Sequence, residues 1–151
     1  MDRFDKALLL ALQKHGRISN VELASIVNLS ESACLRRVRA LEEEGLIERY
    51  VALLNQKAIG LTGTIFVQIA LSREGQSDLA AFEKEVQNIP EVMECYLMTG
   101  EADFLLRVVA SDAADFEQLH SNYLTRLPGV TRVHSSFSLR TVVKKTELPI
   151  R

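Results

Sequence analysis

Apolar residues recur every three or four positions through the first forty-odd residues, then gather into short β-branched runs separated by helical stretches. Phe4, Leu8, Ala11 and Leu12 define one face of a helix predicted from about Asp5 to His15, and Gly16 ends it. Ser19 with Glu22 three residues on has the form of a capping box. It opens a second helix whose inward face is Leu23, Ala24 and Val27. Asn28-Leu29-Ser30 has turn chemistry. Ser30 can cap a third helix running to about Glu44, with Gly45 as its stop. Leu35, Val38 and Leu41 are expected to face inward on it. Leu46 to Leu54 reads as extended, a short wing, and 55–63 as a linker containing Gly60 and Gly63.

After the linker the pattern changes. Thr64 to Leu71 is a strand by its β-branched content. Ser77 can cap a helix with Leu79, Phe82, Val86 and Ile89 on one face, ended by Pro90. Strands follow at Val92–Met98 and Phe104–Val109, joined by the turn Gly100-Glu101-Ala102-Asp103. Ser111 can cap a second helix with Phe116, Leu119, Tyr123 and Leu127 inward, and Val130 to Val143 is a last strand. The order β-α-β-β-α-β is the ferredoxin-like split βαβ arrangement. The expected fold is thus α+β: a winged helix-turn-helix domain at 1–54, a linker at 55–63, and a ferredoxin-like domain with an antiparallel sheet at 64–151. Helices on one face of such a sheet leave the other bare, so a homodimer through that face is expected.

Composition excludes several classes. At 47% hydrophobic residues the 151-residue chain can build a core, and no apolar run is long enough to span a bilayer. Met-Asp-Arg-Phe-Asp at the start is not a signal peptide, so a cytoplasmic protein with no membrane partner is expected. Cys34 and Cys95 lie in different predicted elements and read as buried thiols, not a disulfide. The three histidines show no ligand spacing, and neither a nucleotide-binding glycine loop nor a nucleophile elbow is present. No cofactor is expected. Residues 1–60 hold nine Lys/Arg and eight Asp/Glu, whereas 61–151 hold nine and twelve.

That weak basicity is concentrated on one helix. Arg36, Arg37 and Arg39 project sideways and outward from the third helix. Two capped helices joined by a tight turn, the second bearing a cationic face, have the layout of a helix that enters a DNA major groove. Arg36 and Ser32, one turn apart, suit base edges. Ser30, at the helix start, is a further candidate for DNA contact, and Arg37 and Arg39 suit phosphates. The competing reading is a solvated face, with Arg39 paired to Glu43 at i, i+4.

The chain resembles the leucine-responsive/asparagine-responsive (Lrp/AsnC) transcriptional regulators over nearly its whole length. The resemblance lies in Asp5-Lys-Ala-Leu-Leu-Leu-Ala-Leu-Gln, Cys34-Leu-Arg-Arg-Val-Arg-Ala-Leu-Glu-Glu-Glu-Gly-Leu-Ile, Met98-Thr-Gly-Glu-Ala-Asp-Phe-Leu-Leu-Arg-Val and Leu127-Pro-Gly-Val, in order. It implies a regulator that binds double-stranded DNA and senses an amino acid through its C-terminal domain, with dimers assembling further, often to octamers. It points to Gly100 and Asp103 for the effector, and to the last strand, where Ser135 and Ser136 are candidates. Met98 is a candidate to meet an aliphatic ligand side chain. Glu31 and Ala33 stand where the family often has prolines. A glutamate at a helix start is favourable, but beside phosphates it narrows the sites tolerated. The alternative function is a metabolic enzyme or regulatory subunit built on a ferredoxin-like domain. No acid/base pair or triad marks it, so no enzymatic activity is expected.

Overall fold

The computed structural model describes residues 1–72 and 75–150. The chain forms two compact units, Met1–Leu53 with Val142–Arg151, and Leu54–Thr141. The segment that begins at Val142 is thus grouped by its contacts with the first unit. The segment expected as a linker, 55–63, is likewise part of the second unit.

The first unit contains α1 (Arg3–Lys14), α2 (Asn20–Val27) and α3 (Glu31–Glu43). The first helix starts two residues earlier than its apolar spacing suggests, because Asp2 and Asp5 form a capping box. The Asp2 carboxylate accepts from the Phe4 and Asp5 N–H groups, and Asp5 accepts from the Asp2 N–H. Ser19 and Glu22 form the expected second box. Asn28 takes the left-handed conformation (φ 54°) that closes the turn, a geometry asparagine tolerates better than most side chains. The Asn20 side chain donates to the Glu31 carbonyl at 2.9 Å, tying the start of α2 to the start of α3. Leu8, Leu23, Ala24, Val27, Cys34 and Leu41 form the core, with Val38, Ile47 and Ile150 packed against it. No strand forms between Leu46 and Leu54, so the expected wing is an irregular segment. The Tyr50 hydroxyl ties it back by donating to Glu42.

The second unit contains β1 (Gly63–Leu71), α4 (Gln76–Val86), β2 (Val92–Leu97), β3 (Phe104–Ala110), α5 (Ala113–Asn122) and β4 (Val130–Phe137). The strand order is β2-β3-β1-β4, and each pairing is antiparallel. Two helix caps differ from expectation. Gly75 precedes α4 in place of Ser77, and Asp112 caps α5 while Ser111 donates to Asp115. The last strand stops at Phe137, not Val143. Tyr123 is exposed, and Leu124, at the start of the following 3-10 turn, takes the core position.

Ile65, Val67, Ile69, Phe104, Leu106 and Val108 put one face of the sheet against Phe82 and Val86 of α4 and Phe116 and Leu119 of α5. The pleat sends alternate residues to the uncovered face. There Phe66 lies between Arg107 and Ser136, and Leu105 between Gln68 and Tyr96. The face expected to be apolar is therefore mixed. Arg107 pairs with Glu94 at 2.8 Å beside the aromatic and aliphatic groups.

Candidate nucleic-acid interface and effector cleft

The buried stripe of α3 is Cys34, Val38 and Leu41, and Leu35 is 40% exposed. Val38 and Leu41 thus face inward as expected, and Cys34 takes the place assigned to Leu35. At about 100° per residue, recentring the stripe puts Ser32, Arg36, Arg39 and Glu43 on the outward side. All four are exposed. Ser30 caps α3 by accepting from the Ala33 N–H, and its hydroxyl lies 3.3 Å from that of Ser32. Among the described residues neither Arg36 nor Arg39 is in a salt bridge, so the Arg39–Glu43 pair that would mark a merely solvated face is absent.

Arg37 is the exception, because its guanidinium is already engaged within the unit. The same recentring places it beside the buried stripe, where its guanidinium pairs with Asp5 at 2.7 Å and Asp2 at 2.8 Å. It also lies over the Phe4 ring at 5.3 Å. Arg37 therefore pins α3 to the start of α1. The Asp2 carboxyl is held below its ordinary value, chiefly by the Asp5 N–H and also by Arg37. A carboxyl with a depressed folded-state pKa stabilises the fold above its unfolded pKa, and that contribution is lost as pH falls through the folded value. Arg37→Ala should lower the thermal midpoint at neutral pH, and the gap from wild type should shrink as pH drops below the carboxylate range. Melting curves across the acid range test this. A gap that persists unchanged in acid would show that the ion pairs do not stabilise the fold.

In the second unit the β2–β3 hairpin is fixed from within. Gly100 has φ 125°, a conformation that L side chains rarely adopt. The Asp103 carboxylate accepts the Leu71 N–H at 2.6 Å, its N–H donates to the Ile69 carbonyl, and its carbonyl accepts from Met98. The hairpin borders an open cleft of about 270 Å³ lined by Gln68, Ile69, Ala70, Glu101, Ala102, Arg132 and His134. Arg132 donates to the Glu101 carbonyl at 3.3 Å.

The structure separates the two serines. Ser136 faces the open side opposite Phe66. Ser135 lies opposite the buried Val67, and its hydroxyl is buried without a hydrogen-bond partner. Arg132 and His134, which share the open face with Ser136 by period-two spacing, went unnoticed in the sequence. Met98 is exposed at the end of β2.

Neither cysteine is set up for redox chemistry. Burial raises the Cys34 thiol, and burial with the nearby Glu83 pushes Cys95 up to about 11. Among the described residues no group of His, Cys, Asp or Glu could hold a metal ion, and no helix is long and apolar enough to cross a membrane.

Residues 1–48 match the winged helix-turn-helix DNA-binding family, and residues 64–148 match the Lrp/AsnC ligand binding domain. The chain belongs to the Lrp/AsnC family of transcriptional regulators. It is 40% identical over 150 residues to the Bkd operon transcriptional regulator of Pseudomonas aeruginosa, covering 99% of this chain and 98% of that one. It is 39% identical over 151 residues to the leucine-responsive regulatory protein of Escherichia coli, covering 100% of this chain and 92% of the relative. A transcriptional regulator of Neisseria meningitidis, solved in complex with L-methionine, superposes with a TM-score of 0.94 at 36% identity, over 99% of this chain and 96% of that one. The Lrp/AsnC members are DNA-binding transcriptional regulators, which sets the enzyme reading aside.

Proposed function

We propose that this regulator is switched by a free amino acid bound beside the β2–β3 hairpin, and that the ligand acts by changing how protomers assemble. The observation that carries the reading is the presence of Glu101 and Arg132 together in the lining of one open cleft. An α-amino acid presents an ammonium and a carboxylate, and a carboxylate and a guanidinium are their natural counterparts. Its volume suits a ligand of that size, and the Neisseria relative holds L-methionine. Gly100, Asp103, Met98 and Ser136 lie outside the lining of this cleft; in this reading Gly100 lets the hairpin backbone approach the ligand, Asp103 adds a second carboxylate, and Met98 and Ser136 meet the ligand's remaining atoms. Ser135 acts from the helix-covered side, through the packing of β4.

The protomers pair through the open sheet face around Phe66, Leu105 and Tyr96, and the dimers assemble further, to an octamer. A ligand favours one assembly only by its differential affinity for it. Assembly sets how many α3 helices meet DNA together, so occupancy changes without the ligand touching DNA.

A thermal-shift screen over the twenty amino acids tests the ligand. An effector at 100 times its dissociation constant should add about 2.7 kcal/mol of stability. Sedimentation and DNA binding are then measured with and without it. Asp103→Asn keeps an acceptor oxygen for the Leu71 N–H but removes the charge. It should weaken the effector at least about tenfold while leaving ligand-free DNA binding intact. Full effector affinity in the variant would remove Asp103 from ammonium recognition. A monomer at all ligand concentrations would end the assembly mechanism.

A further inference from the structure

The end of the chain is anchored on the DNA-binding unit. The Gln13 side-chain amide donates to the Leu148 carbonyl at 3.2 Å and accepts the Leu148 N–H at 2.5 Å. This reciprocal pair imitates the way one strand residue holds another. Ile150 packs against the three-helix core. Lys144 and Lys145, just before the anchor, are exposed.

The charge of this unit is the second observation. Residues 1–53 carry eight Lys/Arg and eight Asp/Glu, so the three helices and the segment after them have no net side-chain charge. Arg37 is moreover committed to Asp2 and Asp5. Residues 142–151 bring Lys144, Lys145 and Arg151 against Glu147, which raises the unit to +2. The other unit carries seven Lys/Arg and eleven Asp/Glu, net −4. All the excess positive charge on the DNA-binding unit is thus delivered by a segment from the far end of the chain. Affinity for duplex DNA rests largely on cations placed against phosphates, and each added contact strengthens it.

We propose that the anchored C-terminal segment is a second DNA-contacting element, with Lys144 and Lys145 pairing with backbone phosphates while α3 reads base edges. Lysine ammonium groups act as mobile point charges, suited to phosphates more than to the planar edge of a base. Anchoring through Gln13 and Ile150 keeps the chain that carries them on the unit that carries α3 before DNA arrives. The inference rests on the DNA-binding reading of α3.

The test uses the full chain, a fluorescent mixed-sequence duplex, and affinities measured between about 50 and 200 mM salt. K144Q/K145Q should flatten the slope of log affinity against log salt by roughly 1.8 per bound protomer, at about 0.9 per lost contact. Lys84→Gln, in the other unit, should leave the slope unchanged. Gln13→Ala should flatten it in the same direction as the double variant, because the lysines are no longer held. A wild-type slope in K144Q/K145Q, with the protein folded by thermal unfolding, overturns the proposal. A wild-type slope in Gln13→Ala overturns the role of the anchor. Failure of the wild type itself to bind duplex DNA would instead strike the reading of α3.

Discussion

Phe82→Ala should remove about 3–5 kcal/mol from the stability of the sheet-bearing unit. The ring stacks on Phe104 with centroids 4.3 Å apart, and both side chains are fully buried. This contact joins α4 to β3, so truncation deletes apolar volume at the place where helix and sheet interlock. The backbone of a four-stranded sheet cannot close the gap by small shifts, and the cavity adds its own cost to the lost transfer energy. Domains of this size are stable by only about 5–15 kcal/mol. At about 4–8 °C per kcal/mol the melting midpoint should fall by upwards of roughly 12 °C. The helical core around Leu8, Cys34 and Leu41 shares no residue with this cluster, so its own transition should stay in place. Scanning calorimetry reads both. A wild-type midpoint for the sheet unit would mean that this stacked pair does not hold it together.

Most of this architecture can be read from the sequence because local signals agree with the global fold. Ser19 and Ser30 stand at real helix starts, and Asn28 makes the turn between them. The β-branched runs at 64–71 and 104–109 become central strands. What went astray has physical causes. Leu35, Val38 and Leu41 are as regularly spaced as Cys34, Val38 and Leu41, and apolar spacing alone does not choose between stripes that differ by one residue. A small thiol is a weaker marker of a buried face than a leucine, and with Cys34 in the stripe Arg37 stands beside it. The alternation at 132, 134 and 136 was obscured by reading the adjacent serines as a pair, although neighbours in a strand point to opposite faces. The hold of Gln13 on the Leu148 backbone leaves no local trace, because a side-chain amide holding a distant backbone has no sequence period.

Arg36 lies almost opposite the buried stripe and is exposed, one turn from Ser32. With 13 residues the helix is about 20 Å long at 1.5 Å per residue, and one helix diameter matches the width of the major groove. An arginine so placed can bind the O6 and N7 atoms of a guanine with both arms. Arg36→Ala should therefore cost about 1–3 kcal/mol of specific binding for each helix engaged and relax the preference at one base position. Two helices of a dimer would double the loss. Arg39→Ala, if it meets a phosphate, should weaken all sequences alike and flatten the salt dependence by about one unit. Arg37→Ala should act through stability, so its DNA affinity should approach that of the wild type at temperatures where it is folded. Selecting preferred duplexes from a random pool with wild type and each variant separates these outcomes. Should Arg36→Ala select the same sequences with undiminished affinity, α3 would not be the element that reads base edges, and the exposed face around Ser32 would lose its assigned role.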